Sequence, residues 1–317
     1  MCPHDTIRDE FISLLDGKTG GLVYYSPFSF LNNADREELC RETFIDPLKN
    51  DVSEDRSIIT RIDIGGRHTY FAWKVLPWDS EYFKRKVIRM ELILPDHDSA
   101  DSVGRAVNRF ITDIPGDNAY VVTTIPCEDL KVIQGLSRTS MRLVETRLNY
   151  YFNAFKEAGP PEMPVRRAVM KDIPALREVA VKMRNRFDRV HADPAFSDDM
   201  ADAYLGTFTE ESVRGFADIV MVPDLPGTEP FGFLAANLPE KVSGLRIAKL
   251  VLAAVDNSEH KGWLSHLLDG VISELRENHT DILTTITQAS NRPAIRTWEK
   301  AGFRLGFVTH VYSYSGT

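Results

Sequence analysis

The second half of the chain alternates between helix and strand patterns. An apolar spacing of three and four residues predicts a helix over 264–275. Another is predicted over 293–301, with Asn291 capping its start and Gly302 ending it in a left-handed turn, and Asp172 is expected to cap a third. The apolar runs that predict strands are 165–168, 219–222, 231–236, 246–255, 282–287 and 303–314. This order predicts a mixed α/β protein whose helices cover a twisted sheet.

Similar positions recur between the two halves at one fixed distance. The pairs that share an offset of 162 positions are Phe71 and Phe233, Leu76 and Leu238, Pro77 and Pro239, Met141 and Phe303, and Tyr150 and Tyr312. A repeat of this length is far longer than the repeat of a solenoid, so it indicates two copies of one domain fold. Three prolines within 158–164 are typical of a linker, because proline cannot continue a helix. We therefore predict domains at 1–160 and 161–317.

The charge balance argues against a general nucleic-acid binder. The 317 residues include 38 Lys and Arg against 46 Asp and Glu, a net charge of −8, whereas a surface for nucleic acid needs excess positive charge. No apolar run approaches the roughly 18 residues that span a bilayer, and the start of the chain is polar. We expect a cytoplasmic protein that binds neither nucleic acid nor membrane.

The cysteine pattern argues against both a disulfide framework and a zinc site. Cys2, Cys40 and Cys127 are far apart, and no close Cys or His pair accompanies them. We therefore expect a reducing compartment and no metal.

A turn at 256–262 is the first candidate site. Gly262 stands directly before the predicted helix, so unpaired backbone N–H groups and the positive end of the helix dipole would lie beside Lys261. This combination suits a pyrophosphate. An ordinary loop in which Gly262 takes a positive φ explains the same residues, and both interpretations stay open.

Three segments of the sequence resemble one family. In the first, Ala294 and Trp298 follow Asn291 by three and seven positions, and Gly302-Phe303 closes the helix. Together with the glycine turn, this pattern resembles the GNAT superfamily of acyl-CoA N-acyltransferases. The other segments are similar to the branch that acylates nucleotide-linked amino sugars, typified by dTDP-fucosamine acetyltransferase. Residues 189–196 resemble its Arg-Phe-His-x-Asp-Pro stretch, and residues 76–83 resemble its Trp-Asp-Ser-x-Phe-Phe motif.

The resemblance covers most of 70–317 and implies tandem GNAT-like domains. Each would be a twisted, mostly antiparallel sheet flanked by helices. Residues 1–160 would form a degenerate copy on the acceptor side, and 161–317 a complete copy that binds acyl-CoA. The first half has no glycine turn before a helix near Ala100, so we expect one donor site. Residues 1–57 resemble nothing in the family.

The resemblance also implies a donor site for acetyl-CoA or a longer acyl-CoA, without a metal. The pantetheine arm would pair with the strand at 250–255, and the pyrophosphate would rest on the turn. The residues implied to hold the donor are Leu252, Ala254, Val255, Lys261, Gly262, Trp263, Leu264, Ser265 and Asn291.

The implied catalytic residues are His191, Trp298 and Tyr312. His191 would orient the sugar or accept the amine proton; alternatively, it only closes hydrogen bonds at a helix end. The family commonly has Tyr where this chain has Trp298, and an indole N–H cannot protonate a thiolate. The proton would then come from another group or from water. The residues implied to bind the acceptor are Trp78, Tyr82, Arg189, His191 and Asp193.

The resulting expectation is an N-acyltransferase whose acceptor is a dTDP-linked amino-deoxy sugar. The amine would attack the thioester directly, in the synthesis of a cell-surface polysaccharide such as lipopolysaccharide. Two alternatives stay open. One is a non-catalytic acyl-CoA sensor or partner protein, which Trp298 and Leu264 favour, and the other is an acyltransferase for a protein or another small amine. A homodimer, the acyl group and the particular sugar are also open.

Overall fold

The computed structural model describes residues 3–31, 35–113, 118–153, 155, 159–256 and 260–316. They form two units, Met1–Thr146 with Phe307–Thr317, and Arg147–Gly306. None of the helices among these residues has the length and apolar character that crossing a membrane requires. Within the same ranges, no three His, Cys, Asp or Glu side chains gather in a way that could hold a metal ion.

The first unit combines six helices of the described ranges with a mixed sheet. Its helices are α1 (Pro3–Gly17), α2 (Arg36–Cys40), α3 (Asp46–Ser53), α4 (Pro77–Phe83), α5 (Ala100–Asp113) and α6 (Leu130–Leu136). Its strands are β1 (Ile58–Asp63), β2 (His68–Val75), β3 (Val87–Pro95), β4 (Tyr120–Pro126) and the beginning of β5 (Arg142–Phe152). β1, β2 and β3 are antiparallel, and β4 is parallel to β3.

The second unit contains the elements that the periodicity predicts. Its strands are β6 (Val165–Arg167), β7 (Ile219–Pro223), β8 (Gly232–Val242), β9 (Leu245–Val255), β10 (Ile282–Gln288) and the beginning of β11 (Arg304–Ser315). Its helices are α7 (Ile173–Lys182), α8 (Arg189–Ala192), α9 (Asp198–Glu211), α10 (Trp263–Glu277) and α11 (Arg292–Lys300). β6 to β9 are antiparallel, and β10 is parallel to β9.

Local capping explains why these bounds follow the sequence. Asn291 caps α11 by accepting a hydrogen bond from the Ala294 N–H, and Gly302 has a φ of +88°. The prediction that the Asp172 side chain caps α7 is wrong. Its carboxylate accepts hydrogen bonds from the Val169 N–H and from Arg166 instead of from an N–H of α7.

The duplication is visible in the order of elements. Strand, strand, helix, strand, helix, strand runs from β8 to β11 in the second half of the sequence, and the same order runs from β2 to β5 in the first half except that α4 stands between β2 and β3. β4 and β10, α6 and α11, and β5 and β11 begin 162 positions apart, at the predicted offset. The expected mixed α/β fold with tandem, mostly antiparallel sheets is therefore confirmed.

The first copy brings its two repeated helices into direct contact. A Cβ at Gly104 of α5 would lie 2.7 Å from the Gly135 carbonyl oxygen of α6, and a Cβ at Gly135 would lie 2.7 Å from Val103 Cγ1. Glycine at both positions lets the helices approach this closely. The space between α5 and α6 is thus filled by protein.

The final strand segments are exchanged between the sequence halves. Residues 147–152 of β5 pair with β10 within the second unit, and residues 309–315 of β11 pair with β4 within the first. The division into units therefore falls after Thr146, whereas the proline-rich linker predicts a domain boundary at residue 160. The linker marks the end of one copy in sequence, but strand pairing decides which unit a segment joins.

Residues 1–57 supply a helical layer of the first unit. Apolar side chains of α1 and α3 pack with β2 and β3 in one core cluster, whose buried members include Phe11, Leu15, Leu48, Tyr70 and Leu92. A second cluster lies under α5 and α6 and includes Tyr312. The main cluster of the second unit packs α10 and α11 on β5, β8 and β9.

Candidate functional site

β9 and β10 separate and leave a cavity in the second unit. They pair in parallel only from Ile247–Ile282 to Lys249–Thr284. Beyond this point, residues 250–254 of β9 and 285–288 of β10 line a cavity of about 210 Å³. Backbone groups on the free edge of a strand can bond to an extended ligand as to another strand.

A β-bulge accompanies the separation. Ala235 of β8 faces Leu252 and Ala236 faces Leu250, so Val251 has no residue opposite it. An extra residue of this kind bends the strand and increases its local twist. The bulge lies where β9 turns away from β10, and it gives the opening a local cause.

The rest of the cavity wall comes from helices and their connections. α11 contributes Ala294 and Trp298, and Asn291 stands at its cap. Polar side chains enter from the segment after α7 and from the end of β10. The further lining residues are Ala180, Met183, Arg184, Asn185, Asp188, Leu205, Leu234 and Gln288.

Trp298 has a buried donor that no described residue satisfies. Its side chain is 4% exposed and packs beside Phe303, with ring centroids 5.5 Å apart. The Nε1–H finds no acceptor among the residues that the structure describes. A buried donor without a partner costs about 1–3 kcal/mol, so a ligand acceptor in the cavity would be stabilised here.

A chain of polar contacts connects the cavity to α9. Asp188 lies on the wall, and its Oδ2 is 2.6 Å from His191 Nδ1. His191 Nε2 is 3.1 Å from Asp202 Oδ1, the same atom that Arg184 Nε contacts at 3.1 Å. The His191 side chain is 3% exposed. The imidazole is thus fixed from both ends, by a carboxylate of the cavity wall and by one of α9.

The start of α10 has the geometry that the glycine turn predicts. Gly262 has a φ of +91° and serves as the N-terminal cap, and a Cβ there would meet nothing within 4 Å. Lys261 is exposed, Trp263 is buried and Ser265 is half-buried. The half-buried Leu264 side chain packs against the core of the second unit. Residues 257–259 of the candidate turn lie outside the described residues.

The structure gathers part of the implied donor set at the cavity. Leu252, Ala254 and Asn291 of that set line it, together with Trp298 of the implied catalytic residues. Val255 is buried at the end of β9, opposite Gly232 of β8. Lys261, Gly262, Trp263, Leu264 and Ser265 lie at the start of α10 and are not among the described lining residues.

The implied acceptor residues of the second unit surround the short helix α8. Arg189 and His191 belong to it, and Asp193 forms its C-terminal cap. Asp193 is buried, and its carboxylate accepts a hydrogen bond from the Ala195 N–H. Asp188, before the helix, is the member of this segment whose side chain reaches the cavity wall together with Arg184 and Asn185.

The remaining implied residues belong to the first unit. Trp78 and Tyr82 of α4 stack on each other, with ring centroids 5.5 Å apart, and Trp78 is 45% exposed. Tyr312 of β11 is buried in a core cluster. Burial and the nearby Cys127 raise the pKa of the Tyr312 phenol, which makes it a weaker acid than an ordinary tyrosine.

Asp188 and Asp202 were not singled out from the sequence. The spacing of Asp188 and His191, three positions apart, matches an N-terminal cap followed by a side chain over the same turn. That local signal was available. The contact of His191 with Asp202, eleven positions on, depends on how α8 packs against α9, and no local pattern announces it.

Comparison with known proteins finds a distant relative of this sequence. No protein-family model matches the sequence. The spore coat polysaccharide biosynthesis protein SpsD of Bacillus subtilis is 27% identical over 240 residues, which cover 71% of this chain and 76% of that protein.

Two solved structures share the architecture. One is a GCN5-related N-acetyltransferase from Sphaerobacter thermophilus, with a TM-score of 0.54 and 12% identity over 92% of this chain and 90% of that one. The other is a conserved protein of unknown function from Staphylococcus epidermidis, with a TM-score of 0.51 and 9% identity over 82% of this chain and 95% of that one. With the separated strands β9 and β10 and the glycine turn before α10, these likenesses show that the chain has the fold of the GCN5-related N-acetyltransferases.

Proposed function

We propose that the protein is an acyl-CoA-dependent N-acyltransferase whose acceptor is the amine of a dTDP-linked amino-deoxy sugar. The observation that carries the proposal is the cavity between β9 and β10, because it joins a free strand edge to the unsatisfied Trp298 N–H. The acceptor class is supported by the 27% identity to a spore coat polysaccharide biosynthesis protein. The product would enter a cell-surface polysaccharide such as lipopolysaccharide.

The donor would extend along the cavity from the start of α10. Lys261 and the residues from the Gly262 turn to Ser265 would hold the pyrophosphate of acetyl-CoA or a longer acyl-CoA at the positive end of the α10 dipole. The amide groups of pantetheine would pair with the free edge of β9 between Leu252 and Val255. A β9 backbone N–H would then donate to the thioester oxygen, where charge develops during attack.

The reaction exchanges a thioester for an amide. The sugar nitrogen forms a bond to the carbonyl carbon, and the carbon–sulfur bond then breaks. The nitrogen loses one proton and the thiolate of coenzyme A gains one. Because an amine with a pKa of about 8 is partly neutral at pH 7, holding the two reactants together supplies much of the acceleration.

The proton for the leaving thiolate would come from solvent. The Trp298 indole N–H can donate a hydrogen bond but has no acidic proton to give. Thr297 donates its hydroxyl to the Pro293 carbonyl, and Tyr312 is buried in the core of the first unit. In this scheme Trp298 stabilises the sulfur or a carbonyl of the donor, and water protonates the thiolate.

The sugar nucleotide would bind beside α8, where Arg189, His191 and Asp193 order the segment that borders the cavity. Trp78 and Tyr82, which stack in α4 of the first unit, remain predicted acceptor residues. A cytoplasmic location and a homodimer remain predictions.

Activity against a matched panel tests the proposal. Thiol release is measured with acetyl-CoA and longer acyl-CoAs against dTDP-linked amino sugars, against the same sugars with a hydroxyl in place of the amine, and against peptide and small amines. The proposal predicts release with an amino sugar nucleotide and none with its hydroxyl counterpart. Transfer only to peptides or simple amines would replace the sugar acceptor with another amine.

A non-catalytic acyl-CoA sensor is the second candidate, because of Trp298. This function predicts that calorimetry detects acyl-CoA binding while no acceptor of the panel causes thiol release.

A further inference from the structure

The cavity has one negatively charged wall position. Among the described residues that line it, the ionisable side chains are Arg184 and Asp188, and Asp188 is the carboxylate. Arg184 already contacts Asp202 through Nε, at 3.1 Å. An attacking amine must shed a proton, and of these two groups only the carboxylate can accept it.

Local structure fixes the Asp188 carboxylate. Its Oδ1 accepts hydrogen bonds from the Val190 and His191 N–H groups, at 2.9 and 3.0 Å, as the N-terminal cap of α8. Its Oδ2 meets His191 Nδ1 at 2.6 Å. The side chain is nevertheless 28% exposed. Each carboxylate oxygen has two lone-pair directions, so capacity remains for a ligand on the cavity side.

His191 holds the Asp188 carboxylate in position. Its ring is almost completely buried and held at both nitrogens, by Asp188 and Asp202. Asp202 is held in turn by Arg184. A side chain enclosed in this way is suited to orient Asp188 and to donate to it, but not to move to a substrate.

We propose that Asp188 binds the attacking amine and accepts its proton, and that His191 is the positioning residue that orients Asp188. The inference rests on the proposed acyl transfer and names the base of that reaction. As the carbon–nitrogen bond forms and the carbon–sulfur bond breaks, one proton passes from nitrogen to the Asp188 carboxylate. The thiolate takes its proton from water, so Asp188 returns its proton to solvent before the next turnover.

Replacing the carboxylate tests the base. Asp188→Asn and Asp188→Ser keep a good N-terminal cap for α8, so both are expected to fold and to bind acyl-CoA as the wild type does. We expect kcat to fall about 100-fold or more, while the KM for acyl-CoA stays unchanged. Asp199→Asn, an exposed residue of α9, is the matched control and should retain full activity.

A pH profile separates a base from a structural role. The titratable or charged groups connected to Asp188 are His191, which contacts it, and then Asp202 and Arg184 in the same chain of contacts. Wild type and variant both need a neutral amine, but without the carboxylate the proton that the nitrogen loses can pass only to water or hydroxide. The deficit of Asp188→Asn should therefore shrink as the hydroxide concentration rises with pH. A deficit that is constant with pH would overturn the assignment of Asp188 as the base.

Two histidine variants test the positioning role. The amide nitrogen of Asn occupies the place of Nδ1, and that of Gln the place of Nε2. His191→Asn therefore keeps the donor to Asp188, whereas His191→Gln keeps only the donor to Asp202. We expect His191→Asn to retain kcat within about fivefold and His191→Gln to lose about tenfold or more, which corresponds to one charge-assisted hydrogen bond. Equal losses in both variants would overturn this role.

The outcomes distinguish the inference from the proposed function. If the wild type transfers an acyl group and Asp188→Asn is equally active, the inference fails and the function stands. If the wild type transfers to no acceptor, the function fails and takes the inference with it.

Discussion

At the scale of single residues, the site contains two buried polar side chains in opposite situations, Trp298 and His191. Trp298 lines the cavity and its N–H is buried without an acceptor in the described part of the chain, whereas His191 is held by two carboxylates. The first arrangement is costly until a ligand arrives, and the second is costly to disturb. Trp298 is therefore expected to bind the ligand, and His191 is expected to keep the cavity wall ordered.

Trp298→Phe should weaken acyl-CoA binding about tenfold. Phenylalanine keeps an aromatic ring but removes the N–H, and a recovered hydrogen bond from a buried donor contributes about 1 kcal/mol or more. Isothermal titration with acetyl-CoA measures the effect. Trp78→Phe, in α4 of the first unit, is the matched control and should bind the donor normally. Equal affinity in Trp298→Phe and the wild type would show that the indole N–H does not contact the donor.

Asp172→Asn should lower the free energy of unfolding by about 2 kcal/mol at pH 7. Asp172 is buried and receives two hydrogen bonds from Arg166, at 2.7 and 3.0 Å. Burial raises the pKa of its carboxyl, but the bonds from Arg166 and from the Val169 N–H outweigh burial and hold the pKa below 3.8.

A lowered pKa gives the sign of the pH dependence. The stabilisation is present above the unfolded-state value near 3.8 and is lost as pH falls through the lower folded-state pKa. Urea unfolding should therefore show a gap between the wild type and Asp172→Asn at pH 7 that narrows at pH 3. Asp224→Asn, which removes an exposed carboxylate 3.5 Å from Arg166 Nε, should cost little. A gap that stays constant with pH would contradict the ion pair.

At the scale of elements, the two copies differ in the space between their repeated helices. α5 and α6 meet at Gly104 and Gly135, whereas the cavity of the second copy lies against β9, β10 and α11.

Gly104→Ala should destabilise the first unit without changing the affinity for the acyl-CoA donor. The added Cβ would lie 2.7 Å from the Gly135 carbonyl oxygen, and overpacking of this kind costs about 1–3 kcal/mol. Thermal unfolding should shift while the affinity for acetyl-CoA does not. Gly17→Ala, where a Cβ meets nothing within 4 Å, is the control. Loss of acyl-CoA binding in Gly104→Ala would place a donor site in the first unit.

Elements were predictable where their signals are local. The bounds of α11 follow from Asn291 and Gly302, and those of α10 from its apolar spacing and Gly262. The opening beside β9 was expected only through resemblance, because the bulge at Val251 depends on register with β8. Asp172 shows the limit of local reasoning: the sequence suggests a cap, and the fold gives its carboxylate to Arg166.

At the scale of the whole molecule, the exchange of final strands sets which residues fold together. Tyr150, Phe152 and Phe155 belong to the core of the second unit, although the proline linker at 158–164 separates them from it in sequence. Their pairing with β10 supplies that strand with its antiparallel neighbour. The repeat was readable from the sequence, but the exchange was not, since it joins positions more than 130 residues apart.

A fragment whose ends follow the strand pairing should fold and bind acetyl-CoA better than a fragment that begins at the linker. A chain of residues 147–306 retains the β10 neighbour and the three aromatic core residues, whereas 161–317 lacks them. We expect the former to unfold cooperatively and to bind acetyl-CoA within a few-fold of the full chain. The latter should expose β10 and aggregate. Equal folding and binding by both fragments would contradict the assignment of residues 147–155 to the donor unit.

The most direct test of the account is the mass of the acceptor after incubation with acyl-CoA and the full-length protein. A dTDP-linked amino sugar should gain the mass of one acyl group while an equal amount of coenzyme A thiol appears, and its hydroxyl counterpart should stay unchanged. An amino sugar nucleotide that gains no mass with any acyl-CoA, while the donor still binds, would contradict the proposed transferase activity.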